Sequence, residues 1–432
     1  MERGRRARRR AARDSDPLGR LHSSARGPAA PDAADARRPR RDARVSRGTH
    51  GRLWNRPRVA PDRRPRRSLR SAPRCGAVNR ALLDHFTEQA GFCGHLGSPF
   101  TARLIEAMAT DLRTGGPTAD LVGDWPGPPR ADAVSLRLAG ALHAAALSGR
   151  DEALAAEYPA ARPTWDAAAV WSAARAFLAR EREWVADFLR FAPQTNETRR
   201  SIALLAGFLE LAAQHDLPLE TLEIGASAGL NLFWDRFAYR TASWSWGTPS
   251  REPIGTVWEG PPPPLEATLC VRRRAACDVN PLDIHSEAER LRLRSYVWAD
   301  QPHRLARFDT AVAVALAHDV RVDRADAGAW LEEKLARRSE DALTVVYHSV
   351  FFQYPPPETR KRIASAIAHA GTTSKAPLAW LRLEPEAAIG GPRESVRFLV
   401  DVITWPGAAR RTLAETDGHA RFVKILSTAT RA

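Results

Sequence analysis

The spacing of apolar residues changes near position 217 of this 432-residue chain. From residue 79 to about 216, apolar side chains recur every three or four residues, as in amphipathic helices. The longest single helix is predicted from about Trp165 to Phe191. Beyond position 217, short apolar runs of strand length alternate with helical patterns, which is typical of a parallel sheet with helical connections. The sequence therefore predicts a helical domain over 78–216 and a doubly wound, Rossmann-like α/β domain over 217–432.

The last helix before the sheet has two possible relations to a ligand site. It is predicted from Thr198 to His215, where Thr195 or Asn196 can cap the free backbone N–H groups. Alternatively, because a helix that leads into the first strand often ends near the ligand crevice, its neighbours project into the site. In that case the residues concerned are Asn196, Glu197 and Arg200.

The second half opens with the stretch LETLEIGASAGLN, residues 219–231. Its first six residues predict a short buried strand, with Glu223 near the end. Gly225, Ser227 and Gly229 follow as turn formers, and the apolar residues after them are predicted to begin a helix. A strand, a loop of small residues and a helix together allow the backbone to approach a nucleotide and direct free N–H groups at it.

Further strands are predicted downstream, and polar residues stand where they end. These strands span 269–277, 320–325, 343–347, 378–383, 396–404 and 421–426, with the last two as a final pair. Because doubly wound sheets bind ligands at the carboxyl ends of their strands, the polar residues there mark a candidate site. They are Glu223, Asp278, Asp326, His348, Ser349 and Glu384.

A segment at about 239–266 lengthens the connection between the first two strands of the sheet. It carries Trp244, Trp246, Trp258 and four consecutive prolines from Pro261. The segment is either a lid or substrate wall that excludes water, or a surface excursion packed by its own tryptophans. The sequence favours neither interpretation.

For two other groups of residues, a role in packing is the alternative to a functional role. The loop with Trp298, Asp300 and Gln301 either lines a pocket or packs internally. His143, on a helix predicted over 133–147, is expected to be a surface or satisfied core histidine rather than a base.

The basic character of the chain lies in its first 78 residues, which contain 24 Arg and 7 acidic residues. The rest is nearly neutral, with 41 basic and 43 acidic residues, so the body offers no electrostatic basis for binding nucleic acid. The tail at 1–77 is predicted to be disordered, and an Arg-rich arm of this kind could bind nucleic acid or an anionic membrane. We favour another hypothesis, because the chain has only four Lys residues. Such a composition indicates a GC-rich genome, in which translation would start near Val78 on a non-AUG codon and the tail would be a mis-annotated start.

Four cysteines, Cys75, Cys93, Cys270 and Cys277, show neither a C-x-x-C pair nor metal-ligand spacing. They are predicted to be reduced and mostly buried thiols. No apolar run approaches the roughly 20 residues that span a bilayer. The expectation is a cytoplasmic protein that acts on a small molecule, with no metal, no membrane and, for the body, no nucleic acid as partner.

The order of these elements resembles the fold of class I S-adenosylmethionine-dependent methyltransferases, which has seven strands with the last pair antiparallel. In that family an acidic residue and a G-x-G-like loop after the first strand hold the methionine part of the cofactor. An acid after the second strand binds the ribose, and an acid after the third lies near the adenine. The resemblance implies S-adenosylmethionine as cofactor, with the binding residues Glu223, Gly225, Ser227, Gly229, Asn231, Asp278 and Asp326.

A closer resemblance, from about Leu82 to Val423, is to the bacterial domain of unknown function 2332. Its recurring phrases are present as GSPF, TNETRR, LEIGASAGLNLFWDRF, CDVNPLD, LRSYVWADQ, YHSVFFQY, WLRLEPE and TWPG. This resemblance covers nearly the whole body and implies no activity.

Methyl transfer from a sulfonium requires in-line placement of the acceptor, and a base only where the acceptor must lose a proton. His348, at the end of the fourth predicted strand, is the candidate base. Ser349, Gln353 and Tyr354 would orient the substrate, and Glu384 would close the site. The alternative is that His348 is structural and caps its strand.

Other function classes stay open beside a methyltransferase that acts on a small molecule. The loop lacks the G-x-G-x-x-G of nicotinamide dehydrogenases, which disfavours NAD. Its GASAG matches the G-x-S-x-G elbow of serine hydrolases, with Ser227 as nucleophile, although its position at the first strand favours a cofactor loop. A non-catalytic protein that binds a nucleoside or a partner is a third class. The residues that would complete a hydrolase triad are Asp278 or Asp326 with His348 or His419.

Overall fold

The computed structural model describes residues 79–426. The predicted tail and the predicted translation start near Val78 lie outside these residues. The described chain is a mixed α/β structure, with a helical amino-terminal part followed by a large, mostly parallel sheet, as the sequence predicts. None of its helices is both long and apolar enough to cross a membrane.

Seven helices form the amino-terminal part of the described chain, and polar caps set where several of them begin. Ser98 caps the second helix, Asp151 the fifth and Asp166 the sixth, each by accepting a hydrogen bond from a backbone N–H of the first turn. The helices are α1 (Arg80–His95), α2 (Pro99–Arg113), α3 (Pro117–Val122), α4 (Val134–Leu147), α5 (Glu152–Glu157), α6 (Ala167–Arg180) and α7 (Arg182–Phe188).

The single helix predicted over 165–191 is two helices. The chain leaves the helical conformation at Glu181, where φ is −103° and ψ is 31°. The carboxylate of Glu181 accepts hydrogen bonds from Nε and Nη2 of Arg150, at 3.1 and 2.9 Å. The break between the two helices therefore coincides with the contact of Glu181 with Arg150. The continuous apolar pattern over 165–191 gave no sign of it.

The rest of the described chain forms the main sheet, a smaller sheet and their flanking helices. The strands are β1 (Leu219–Ile224), β2 (Tyr239–Arg240), β3 (Ser245–Trp246), β4 (Ile254–Gly255), β5 (Val257–Glu259), β6 (Val271–Asp278), β7 (Asp323–Arg324), β8 (Leu343–Ser349), β9 (Leu378–Pro385), β10 (Phe398–Trp405), β11 (Ala409–Thr416) and β12 (Phe422–Ile425). The helices are α8 (Arg200–Gln214), α9 (Glu287–Ser295), α10 (Pro302–Ala317), α11 (Ala327–Leu335) and α12 (Pro357–Thr373), with 3-10 helices at Trp234–Arg236 and Glu386–Ile389.

The main sheet has nine strands, in the order β5-β12-β11-β10-β9-β8-β1-β6-β7. The run from β9 to β7 is parallel throughout. The chain moves outward from β1 through β6 to β7 and then returns to β8, so the direction of winding reverses between β1 and β8. That reversal is the position at which doubly wound sheets bind their ligands.

The predicted seven-strand arrangement differs from this sheet at its far side. β10 and β12, predicted as a final pair, are separated by β11, which is antiparallel to both. The pattern did not reveal β11, because its sequence ARRTLAET is mostly polar and Arg410 and Arg411 form ion pairs with acids on other elements. β5 then adds a further strand beside β12.

Helices cover both faces of the sheet. α8 and α10 pack on one face, and α11 and α12 pack on the other. α8 approaches the sheet closely at Gly207, where a Cβ would lie 2.4 Å from Cδ1 of Leu381. The buried residues of α1–α7 form a separate hydrophobic cluster, which also includes Tyr296 and Ala299 from the chain between α9 and α10.

One ion pair is buried within the sheet, between β9 and β10. Arg382 donates from Nε and Nη2 to the two oxygens of Asp401, at 2.8 and 2.6 Å, and both side chains are excluded from solvent. Asp401 also accepts a hydrogen bond from Nε of Arg410 at 2.7 Å. The Arg382 guanidinium lies 4.3 Å from the ring centroid of Trp380. The pair is therefore bidentate and well supported by its neighbours.

The segment predicted as an insertion at about 239–266 is built into the sheet structure. β2, β3 and β4 form a small three-stranded sheet, and β5 joins the edge of the main sheet. Trp244 is buried and meets Trp258 edge to face, with ring centroids 4.9 Å apart. These contacts support the interpretation of a segment packed by its own tryptophans.

Candidate functional site

The glycine-rich loop after β1 has the predicted turn chemistry but lacks the predicted helix. Gly225, Ser227 and Gly229 have φ values of 68°, 55° and 72°, a left-handed conformation that helices do not continue through. The chain then passes through turns and the short 3-10 helix at Trp234–Arg236 before it enters β2. The expected unit of strand, loop and α-helix is therefore not formed at this position.

The two glycines of this loop make room for protein side chains. A Cβ on Gly225 would lie 2.1 Å from Cδ2 of Phe351. A Cβ on Gly229 would lie within 2.9 Å of Val320 and Val322. S-adenosylmethionine therefore does not fit against Gly225 while Phe351 occupies this place.

Asp278, the predicted ribose ligand, is bound by the backbone. Its Oδ2 accepts a hydrogen bond from Ser227 N at 2.9 Å, and its Oδ1 accepts one from Asn280 N at 2.8 Å. The hydroxyl of Ser227 donates to Oε1 of Gln194 at 2.5 Å. No histidine between residues 79 and 426 hydrogen-bonds to Ser227, so the geometry does not assemble a hydrolase triad around it.

The other predicted cofactor residues also have protein partners. Asp326 caps α11 by accepting a hydrogen bond from Ala329 N at 3.1 Å. Asn231 is buried and donates from Nδ2 to the carbonyl of Glu197 at 3.5 Å. Asn196 donates to the carbonyl of Ala226 at 2.6 Å. The segment that precedes α8 therefore lies directly against the glycine loop.

Glu223 is a residue of β1, and its side chain is buried. It accepts a hydrogen bond from the hydroxyl of Tyr347 at 3.1 Å. Burial raises the pKa of Glu223 to about 8, against the opposing effect of the Tyr347 hydrogen bond, and the charge of Asp278 adds to the rise. Glu223 is therefore a neutral carboxylic acid in the folded protein at neutral pH.

Glu223→Gln is expected to flatten the pH dependence of stability. Between the ordinary pKa of 4.5 and the raised value of about 8, the folded state holds a proton that the unfolded state releases. The folded wild-type protein therefore loses up to about 1.4 kcal/mol of stability per pH unit through this group as the pH rises. Glutamine cannot titrate. In denaturant unfolding at pH 5, 6, 7 and 8, the free energy of unfolding of the variant relative to the wild type should therefore increase with pH. Parallel pH profiles would contradict the assignment.

His348, the predicted base, is held between two fixed partners. Trp380 Nε1 donates to Nε2 of His348 at 3.0 Å, and because an indole nitrogen can only donate, Nε2 is unprotonated. Nδ1 then carries the proton and donates to Oε1 of Glu384 at 2.6 Å. The imidazole is fully buried and stacks on Phe352. These contacts favour the structural interpretation of His348, with a side chain rather than the backbone as its partner.

The structure brings Glu384 to His348 but leaves the other two predicted catalytic residues apart from them. Glu384 Oε1 also accepts a hydrogen bond from Phe351 N at 2.8 Å, which fixes the loop that carries Phe351. Ser349 offers its backbone carbonyl to Arg200 at 3.3 Å. Tyr354 is exposed.

Two adjoining cavities lie near this loop. One has a volume of about 310 Å³ and is called the basic chamber below. The other has a volume of about 230 Å³ and is called the apolar chamber. Both are lined by Leu96, Trp298, Arg304 and His419, so the two cavities adjoin at these residues. Neither is lined by the predicted cofactor residues.

The chambers stand at the carboxyl-end edge of the sheet. Arg200, the first residue of α8, donates to the carbonyls of Ser349 and Gly418, which end β8 and follow β11. Glu197 and His419, which line the basic chamber, are next to these contacts in the chain. The chambers therefore occupy the side of the sheet on which doubly wound proteins bind ligands.

Several buried polar side chains line the apolar chamber, among them Tyr158, Tyr296 and His143. The hydroxyls of Tyr158 and Tyr296 are buried and find no hydrogen-bond partner in the part of the chain that the structure describes. Nδ1 of His143 lies 3.0 Å from the carbonyl of Ser295, and burial lowers the pKa of His143 to about 4, so the imidazole is neutral. The remaining lining includes Phe100, Leu104, Leu136, Ala139, Gly140, Trp298 and Ala299.

The basic chamber is built around one buried acid. Glu197 Oε2 lies 2.6 Å from Nε of Arg304 and 3.4 Å from Nδ1 of His419, and its Oε1 accepts a hydrogen bond from Arg199 N at 3.2 Å. Although burial alone would raise its pKa, the charges of Arg304, His419 and Arg200 hold the pKa of Glu197 well below its usual range. The other ionisable lining residues are Arg199, Asp300, His303 and Arg421.

Sequence reasoning found only part of this site. Glu197, predicted as one residue near a crevice, lines the basic chamber together with Trp298, Asp300 and Gln301. Asn196 and Arg200, predicted with Glu197, line neither chamber. Tyr158 and Tyr296 were not predicted, and His419 was considered only as a member of a hydrolase triad, because no local motif marks residues that meet only in the folded chain. The one available signal was the clustering of polar and aromatic residues in otherwise unassigned loops.

One protein family matches the sequence over residues 83–424. It is described as an uncharacterised protein conserved in bacteria, DUF2332. No curated protein and no solved structure matches the chain. The match covers most of the described residues, and the chain belongs to the bacterial family DUF2332.

Proposed function

We propose that this protein binds a small organic molecule in the two chambers at the carboxyl edge of its sheet. The observation that carries the proposal is the apolar chamber, where Tyr158 and Tyr296 have buried hydroxyls without partners in the described chain. Buried polar groups are normally hydrogen-bonded, so these phenols suit a ligand that supplies the missing partner. An apolar cavity of about 150 Å³ can hold benzene. The apolar chamber therefore has room for a substituted aromatic ring.

Calorimetric titration of the full chain with phenol and with 4-hydroxybenzoate tests this proposal. Both probes carry a ring and a hydroxyl that can bind Tyr158 or Tyr296. Ala139→Phe should fill the chamber and weaken both probes by about tenfold or more, whereas Ala176→Phe, at an exposed position of α6, should leave binding unchanged. Tyr158→Phe should weaken binding without filling the chamber, since it removes one hydroxyl. Absence of binding, or equal affinity in a folded Ala139→Phe variant, would overturn the proposal.

Methyl transfer from S-adenosylmethionine to a small molecule is a second candidate, favoured by the order of the parallel strands. Numbered along the chain, β7-β6-β1-β8-β9 has the order 3-2-1-4-5, with the glycine loop beside the reversal of winding. The chambers would then hold the methyl acceptor, so the two candidates are compatible. Because Phe351 fills the space at Gly225, this candidate requires Phe351 to move. In the same titrations, S-adenosylmethionine should bind Phe351→Ala more tightly than the wild type, and binding by neither protein would exclude it.

A further inference from the structure

The basic chamber contains one arginine without an acidic partner among the described residues. Three arginines line it, and two of them are paired, Arg304 with Glu197 and Arg421 with Asp417. Glu197 is bound by Arg304 and His419, and Asp300 accepts a hydrogen bond at 2.9 Å from a backbone N–H at the start of α2. Arg199 forms no ion pair within residues 79–426, and its Nε is buried without a hydrogen-bond partner there.

A further buried guanidinium lies close enough to Arg199 and Glu197 to interact with their charges, and it lines a separate cavity of about 160 Å³. Arg307, one turn after Arg304 on α10, is 8 % exposed. Its Nε and Nη2 are buried and have no hydrogen-bond partner among the residues that the structure describes. Burial, together with the charge of Arg199, lowers the pKa of Arg307 to about 10, so the side chain is still charged at neutral pH. Uncompensated buried charge is costly, and this cluster of arginines around Glu197 therefore suits an anion.

We propose that the ligand of the two chambers is an organic acid. Its aromatic or apolar body lies in the apolar chamber, and its carboxylate or phosphate group is bound by Arg199 and Arg304 in the basic chamber. The two chambers share Leu96, Trp298, Arg304 and His419 in their lining, so the positions assigned to the ring and to the acid group are adjacent. Guanidinium groups match both acids, because their N–H groups can form two parallel hydrogen bonds to the acid oxygens. This inference rests on the proposed binding function and names its ligand class.

The test compares three probes that share a ring and differ in their acid group. Phenol has no acid group, 4-hydroxybenzoate has a carboxylate, and 4-hydroxyphenyl phosphate has a phosphate, and all three keep a free ring hydroxyl. In the full-length wild-type protein, at least one acidic probe should bind about 10- to 100-fold more tightly than phenol, as expected for charge-assisted hydrogen bonds. That advantage should shrink as salt concentration rises. The acid that gains most identifies the preferred head group.

Variants of Arg199 locate the effect. Arg199→Met should remove most of the advantage of the acidic probes and leave phenol affinity unchanged, while Arg199→Lys should retain part of it. Arg103→Met is the matched control, because Arg103 is an exposed arginine of α2 that pairs with Glu106, and it should change nothing. If Arg199→Met does not fold, the salt dependence and Arg199→Lys decide the question.

The outcomes separate this inference from the proposed function. Equal wild-type affinity for phenol and the acidic probes would overturn the organic-acid inference and leave the small-molecule site intact. An acid advantage that survives unchanged in Arg199→Met and Arg199→Lys would likewise overturn the assigned position of the acid group. Binding of none of the three probes would overturn both proposals.

Discussion

Glu197→Ala is expected to lower the free energy of unfolding by about 3–5 kcal/mol, the usual result of removing one partner from a buried ion pair. Glu197 and Arg304 are both almost fully buried, and His419 shares the same carboxylate. The substitution leaves the Arg304 guanidinium buried near Arg199 without the acid that compensates its charge. Denaturant unfolding at pH 7 measures the loss.

The pH dependence provides an independent check of the Glu197 prediction. The folded pKa of Glu197 is depressed below the ordinary value of 4.5, so its contribution to stability is complete above that value and declines as the pH falls toward the folded pKa. The difference between wild type and variant should therefore narrow below about pH 4. Glu106→Ala, which removes an exposed acid paired with Arg103, should cost at most about 1 kcal/mol. If Glu197→Ala lowers the free energy of unfolding by a similarly small amount, the buried charge of Arg304 does not need Glu197 to compensate it, and the prediction is wrong.

Asp401→Ala is expected to have an effect of the same size, about 3–5 kcal/mol, because it leaves Arg382 buried in the sheet without its bidentate partner. The double variant Arg382→Met with Asp401→Leu removes both charges and keeps apolar volume. It should be markedly more stable than Asp401→Ala, since the cost arises from an unpaired buried charge and not from loss of the pair itself.

Thermal and denaturant unfolding of the wild type, Asp401→Ala, the double variant and Arg410→Ala measure how much this ion pair contributes to stability. Arg410 is half exposed and also binds Asp401, so its removal should cost about 1 kcal/mol or less. If the double variant is no more stable than Asp401→Ala, the loss of stability does not come from an unpaired buried Arg382, and the prediction is wrong.

The alternation of strands and helices predicted the parallel half of the sheet because buried parallel strands are continuous apolar runs. β8 is of this kind, with six of its seven residues buried. β7 and β11 were harder to predict for different reasons. β7, predicted over 320–325, is only two residues long. β11 is mostly polar, and its arginines form ion pairs with acids on other elements.

The glycine loop shows why a site is harder to predict than a fold. The absence of a Cβ at Gly225 indicates that something approaches the backbone, but the same sequence would serve a cofactor or a phenyl ring. The structure places Phe351 there. The chambers, in contrast, join residues near positions 100, 140, 197, 300 and 419. Hydrophobic periodicity describes residues within one helix or strand. It does not show which residues far apart in the sequence come together in the fold.

The most direct test of the central claim is a crystal structure of the full chain in complex with 4-hydroxybenzoate. The account predicts the ring in the apolar chamber, the hydroxyl within about 3 Å of the Tyr158 or Tyr296 hydroxyl, and the carboxylate at a similar distance from the guanidinium of Arg199 or Arg304. Electron density for the probe at the glycine loop, or at no position in either chamber, would contradict it.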